Sequence, residues 1–164
     1  MAVIPKALTA SEVACVCARL TGRRCSTRQV HYLLVAGGLG TDVHRRSNGQ
    51  TRLYGILDVA FVRLALRLQA EGVSPMVARV TLTYLRSDLI RAWKAGAALS
   101  LVIVGWRGSL QPALKAKPPG SVAFVPLLEI WRGLDTELQR VCAARAHVWM
   151  WRHVPVDAVP RATG

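Results

Sequence analysis

Apolar and polar residues alternate with a helical period over the first 94 positions and with a mixed period after them. Thr9-Ala10-Ser11-Glu12 has the form of a capping box. The helix it opens carries Val13, Val16 and Leu20 on one face, with Ala14 and Cys17 beside them, until Gly22 ends it. Arg23-Arg24-Cys25 makes a short turn. Ser26 or Thr27 caps a second helix, Thr27 to Ala36, which buries Val30, Leu33 and Leu34 and is stopped by Gly37-Gly38. Arg28, Gln29, His31 and Tyr32 lie on or near its other face. Between Leu39 and Tyr54 the pair Asn48-Gly49 signals a hairpin. Ile56 to Glu71 is apolar on two faces, Val59, Val62, Ala65 and Leu66 on one and Phe61, Leu64 and Leu68 on the other, so its helix needs cover on both. Ser74-Pro75 supplies the cap and first turn of a helix to about Ala92.

After Ala95-Gly96-Ala97-Ala98 the pattern changes. Leu99 to Trp106 reads as a buried strand and Gln111 to Gly120, with three prolines and two lysines, as a loop. Ser121 to Val125 reads as a second strand, and Pro126 to about Ala146 as an amphipathic helix. The expected fold class is mainly α with small β: a unit over residues 1–94, a small strand-loop-strand-helix subdomain over residues 95–154, and a disordered tail over residues 155–164. The subdomain's own core is meagre, so it is expected to pack on the preceding helices or on a second chain. Trp93, Trp106 and Trp131 are candidates to fill that core, and Trp149-Met150-Trp151 is an interface anchor or a frayed end.

Composition gives this pattern a partner class. The 164 residues carry 22 basic and 9 acidic side chains, a formal charge of +13, and Arg outnumbers Lys 18 to 4. Residues 1–94 hold 14 basic and 5 acidic residues, net +9, and seven Arg fall between Arg19 and Arg52 with one acid, Asp42. So concentrated a field suits a polyanion, and guanidinium forks suit phosphate and guanine. A short helix, a turn and a second helix with basic residues early on its exposed side have helix-turn-helix geometry, and a basic hairpin directly after it is a wing. The longest apolar charge-free run, Ala95 to Trp106, is 12 residues, short of a membrane span, and Met1 to Leu8 lacks signal-peptide character. The expectation is a soluble cytosolic protein.

The sequence offers little other chemistry. Cys15, Cys17, Cys25 and Cys142 form no Cys-x-x-Cys pair, and Cys15 and Cys17 point apart on a helix, so neither a metal nor a cofactor is expected. They read as small buried or half-buried residues. Cys25, among Arg23, Arg24 and Arg28, has a thiol-sensor role as its alternative, since nearby cations lower a thiol pKa. No Gly-rich phosphate loop, His-Glu-x-x-His or nucleophile–base pair is present, so no enzymatic activity is expected.

Several linked strings resemble the MerR-type winged helix-turn-helix family over about residues 9–91. Thr9-Ala10-Ser11-Glu12-Val13-Ala14 looks like its opening helix, and Ser26-Thr27-Arg28-Gln29-Val30-His31-Tyr32 like its recognition helix, followed by Gly38-Leu39. Asn48-Gly49-Gln50-Thr51-Arg52-Leu53-Tyr54 resembles its wing with one extra residue. Asp58-Val59 and Leu68-Gln69-Ala70-Glu71-Gly72-Val73-Ser74 resemble the strings that carry its next two helices. Gly22 to Ser26 is two residues longer than the family's turn, and the family's long dimerisation helix is replaced by the strand-containing half.

The resemblance implies a sequence-specific regulator of transcription that binds double-stranded DNA. It would act as a homodimer, associated with the bacterial nucleoid in the cytoplasm and in contact with RNA polymerase. Arg28 and Tyr32 would then meet phosphates, with Arg23 and Arg24 nearby. Thr27, Gln29 and His31 would be candidates for bases or adjacent phosphates, His31 alternatively being a neutral surface residue. Arg45, Arg46 and Arg52 would be wing contacts, and Tyr54 would support the wing or touch phosphate. Two other readings compete. One is a protein-interaction adaptor of the chaperone-modulator kind, which keeps the fold without binding DNA; the other is an excisionase-like architectural protein.

Overall fold

The computed structural model describes residues 7–40, 44–45, 52–112 and 114–153, without the side chains of residues 44, 45 and 146–153. The Asn48-Gly49 turn, Arg46 and the 155–164 tail lie outside the described residues, as do the side chains of Arg45, Trp149 and Trp151.

The chain is mainly helical with a small antiparallel sheet. Helix α1 (Ala10–Thr21) opens on the expected capping box, with Thr9 and Glu12 bonded reciprocally, and closes on Gly22 at φ 66. Helix α2 (Thr27–His31) opens on a second box. The Gln29 N–H donates to Ser26 Oγ at 3.2 Å, and the Ser26 N–H donates to Gln29 Oε1 at 2.8 Å. It runs directly into a π-helical turn, Tyr32–Ala36, so the expected ten-residue helix is a short α segment with a wider last turn.

Strands β1 (His44–Arg45) and β2 (Arg52–Leu53) pair antiparallel, Arg45 opposite Arg52. The foot of this hairpin is held from the N-terminal side: Leu8 and Tyr54 exchange backbone hydrogen bonds of 2.8 Å. Helix α3 (Ile56–Ala70) is buried on both apolar faces, as its pattern requires, and packs on α1, on α4 (Pro75–Tyr84), on β5 (Ala123–Pro126) and on the 3-10 turn Leu127–Trp131.

Three expected elements are corrected. The single helix from Ser74 to Ala92 is two, α4 and α5 (Arg86–Ala95), broken at Leu85. Near the break the Thr83 hydroxyl bonds back to the Arg79 carbonyl at 2.8 Å, a contact that bends helices.

The strand Leu99 to Trp106 ends early. β3 (Leu99–Val104) turns through Gly105 and Trp106 into an unexpected strand, β4 (Arg107–Pro112), and the sheet order is β4-β3-β5. Gly105 takes φ 62, as a two-residue hairpin turn needs. Trp106 therefore sits at the turn, 71% exposed, and fills no core. Trp93 is buried edge-on between Phe61 and Trp131, at 5.0 and 5.7 Å between ring centres.

The helix expected from Pro126 starts only at Leu134, as α6 (Leu134–His153). Arg63 of α3 donates to the carbonyls of Ile130 and Arg132, which a continuous helix would use internally, and Gly133 breaks the chain at φ 75.

Cys17, Cys25 and Cys142 are buried or half-buried as expected, whereas Cys15 is exposed, and the Cys25 thiol does not have the lowered pKa of its sensor alternative. Burial pushes it up to about 11.

One hydrophobic core runs from Leu8 through α1 and α3 to the sheet, the 3-10 turn and Leu138 of α6. Residues after 95 thus pack on the preceding helices. On the far side of α4, Met76, Val80 and Tyr84 are exposed at successive turns.

Two predictions follow from this packing. A Cβ at Gly108 would lie 2.3 Å from Cγ2 of the buried, β-branched Thr81. Gly108→Ala is expected to destabilise the fold by about 1–3 kcal/mol in urea denaturation.

Glu12 joins α1 to α6: Arg145 Nε donates to its Oε1 at 2.7 Å, and Arg145 Nη2 to its Oε2. Burial acts to raise the Glu12 pKa, but the Arg145 and Thr9 hydrogen bonds outweigh it and hold the carboxyl below its ordinary 4.5. A depressed carboxylate stabilises the fold above its ordinary pKa and loses that effect as pH falls through the folded value. Glu12→Gln should cost about 1 kcal/mol at neutral pH. In denaturant titrations the gap from wild type should close as the pH is lowered below 4.5.

Candidate nucleic-acid interface

The turn between α1 and α2 and the first turn of α2 present one cationic surface. Arg23, Arg24, Thr27 and Arg28 are all exposed. Among the described residues none of these three arginines forms an ion pair. The placement follows from the apolar pattern: Val30, Leu33 and Leu34 go into the core and turn Thr27, Arg28 and His31 outward.

Gln29, His31 and Tyr32 are engaged within the fold. Gln29 is half-buried and its Oε1 accepts from Ser26, so bidentate pairing with adenine would require release of the cap. His31 is exposed, but its Nδ1 lies 3.1 Å from the Tyr54 hydroxyl. Tyr32 is half-buried with the Arg79 guanidinium stacked at 4.6 Å from its ring centre. Arg52 is half-buried on β2.

Tyr54 takes the first of its two expected places, in support of the hairpin and not at a phosphate. It is fully buried at the foot of the hairpin, and of its alternatives only the supporting one fits. Burial raises the phenol's pKa and Asp58 adds to this, while Arg52 opposes it.

The pattern of single elements gave no sign of three residues that hold the far end of this surface. Besides Arg79, Thr83 Oγ1 donates to the Gly37 carbonyl at 3.1 Å. Arg86 donates to the carbonyls of Leu39 and Gly40 at 3.3 and 3.1 Å. Each contact spans more than 45 positions, so only the tertiary structure brings them together. Among the described residues no cluster of His, Cys, Asp and Glu fits a metal ion, and no helix is long and apolar enough to cross a membrane.

No known family's sequence profile matches the chain. No characterised protein matches it either.

Tyr54→Phe keeps the buried ring and removes only the hydroxyl that meets His31. Loss of one hydrogen bond at a partly buried site should cost about 1 kcal/mol in urea unfolding, with the fold unchanged by circular dichroism.

Proposed function

We propose that the chain is a sequence-specific, double-stranded-DNA-binding regulator of transcription, of the MerR-like winged helix-turn-helix class, acting as a dimer. The observation that carries this reading is the row Arg23, Arg24 and Arg28, exposed and unpaired among the described residues, leading into α2. A carboxylate-free row of guanidinium groups is a surface without its counter-charge, and phosphate supplies one in matching geometry. The hairpin supports the same reading, because the Tyr54–His31 contact ties its foot to α2.

In this mechanism Thr27 to Ala36 lies in the major groove, with α1 behind it. Arg23, Arg24 and Arg28 hold phosphates and set the register. Thr27 and His31, through its free edge, reach base edges from the first turns. Arg45, Arg46 and Arg52 follow the backbone beside the groove, and Tyr54 fixes the hairpin from below. Phosphate contacts position the protein and base contacts specify the site.

The test is binding of the full chain to genomic fragments over a range of salt. Affinity should fall linearly on a log–log plot as salt rises. Arg28→Gln should weaken all sequences alike and lower the salt slope by about 1. Thr27→Ala should instead change the preferred sequence, by about 1–3 kcal/mol at one position. Protected sites should be palindromic if two copies bind. Binding without sequence preference would favour an architectural role. No DNA binding, with an acidic protein captured instead, would favour the adaptor.

A further inference from the structure

A cavity of about 150 Å³ lies where the end of α1, the turn after it, the second half of α3 and the junction of β5 with the 3-10 turn meet. Its apolar wall includes Leu20, Leu66 and Ile130. Three arginines, Arg23, Arg63 and Arg67, line it against one acid, Glu129. Arg67 is neutralised by Glu71 at 3.2 Å. Arg63 is not: its hydrogen bonds go to the neutral carbonyls of Ile130 and Arg132, and it forms no ion pair among the described residues. Burial lowers the Arg63 pKa and the neighbouring Arg132 and Arg67 act in the same direction, opposed by Cys17 and Glu129. A half-buried cation, still protonated at neutral pH, therefore stands in an under-compensated field. Arg23 is exposed and likewise unpaired among the described residues.

The lining selects the ligand. Arginines without a carboxylate excess exclude a cation. A bare phosphate would leave the apolar wall uncovered. A cavity of this volume holds a molecule about the size of benzene. We propose that the cavity binds a small organic anion, whose carboxylate is held by Arg23 and Arg63 and whose apolar body, about six non-hydrogen atoms, covers Leu20, Leu66 and Ile130. Arg23 also belongs to the surface proposed to bind DNA, so anion and DNA would compete for it, whereas Arg63 and the apolar wall belong to the cavity alone.

The experiment titrates the isotope-labelled full chain with sodium benzoate and follows the backbone amides by NMR. Expected are saturable shifts concentrated at residues 20–23, 63–70 and 125–130, at millimolar ligand. Benzyl alcohol, which keeps the ring without the charge, and inorganic phosphate, which keeps the charge without the ring, should each bind at least about tenfold more weakly. Arg23→Gln removes one arm of the anion clasp. Ala70→Phe, at an exposed lining position, fills the cavity mouth. Each should weaken benzoate by about tenfold or more, with the melting temperature kept. Shifts that do not saturate, or that scatter over the surface, overturn the proposal. So does undiminished benzoate affinity in both variants. Phosphate binding as tight as benzoate also overturns it, and would assign these arginines to the phosphates of a nucleic acid.

Discussion

Nine of the fifteen residues of α3 are buried, with Phe61, Leu64 and Leu68 toward one side and Val59, Val62 and Leu66 toward another. A helix of this kind cannot sit on a surface, because each large apolar side chain left in water forfeits about 1.5–3 kcal/mol. It must be covered on several sides at once, and the rest of the chain supplies the cover. Helix α1 and the N-terminal segment cover part of it, α4 another part, and β5 with the 3-10 turn the remainder. The small separate core of the second half is explained by this arrangement, since its strands and turn need no interior of their own when they complete one that already exists.

Polar contacts across the same seam do a different job. Arg19–Glu137 at 3.5 Å and Arg145–Glu12 join α1 to α6 near solvent, and pairs of that kind are worth at most about 1 kcal/mol each. They orient α6 more than they hold it. Arg63 is stronger in its structural effect because it is half-buried and donates to two carbonyls. A buried guanidinium needs acceptors, and it takes them from Ile130 and Arg132. Those carbonyls face Arg63 where the apolar periodicity gives a 3-10 turn and a glycine break instead of a continuous helix.

The parts legible in the sequence are those whose cause is local. The capping box of Thr9 with Glu12 spans three residues, and the two-faced pattern of α3 states its burial outright. The second box reads in the sequence only as a Ser26 or Thr27 cap, with Gln29 a candidate DNA contact. Strand β4, the break at Leu85 and the late start of α6 are not read from the sequence. The first two follow from the Gly105 turn and the Thr83 bond back to Arg79, signals weaker than the apolar pattern around them, and the third depends on a distant arginine. β4 presents Gly108 to Thr81 of α4, and α6 waits on Arg63. The candidate interface divides in the same way. Arg23, Arg24, Thr27 and Arg28 are exposed because Val30, Leu33 and Leu34 beside them are not, a matter of helical spacing. Tyr54 was open to two readings because a tyrosine beside a basic hairpin fits phosphate as well as core. The partner that gives its hydroxyl a place inside, His31, lies 23 positions away.

How the cationic surface is held bears on what it can do. Its leading end, from Arg23 to Arg28, makes no ion pair among the described residues, whereas its trailing end is fixed by α4 and α5 at three points. Arg79 stacks on Tyr32, Thr83 takes the Gly37 carbonyl, and Arg86 takes those of Leu39 and Gly40. The carbonyls these donors reach, of Gly37, Leu39 and Gly40, follow directly on the π-helical turn, and Gly37 allows the approach, since a Cβ there would lie 2.8 Å from the Arg79 side chain. An element clamped at one end and capped at the other by Ser26 and Gln29 loses little conformational entropy when a ligand settles on its exposed side. The helix that carries the clamp also meets the sheet, since Thr81, two residues from both Arg79 and Thr83, faces Gly108 of β4. A side chain added at Gly108 would therefore press on the same helix that holds the trailing end of the surface.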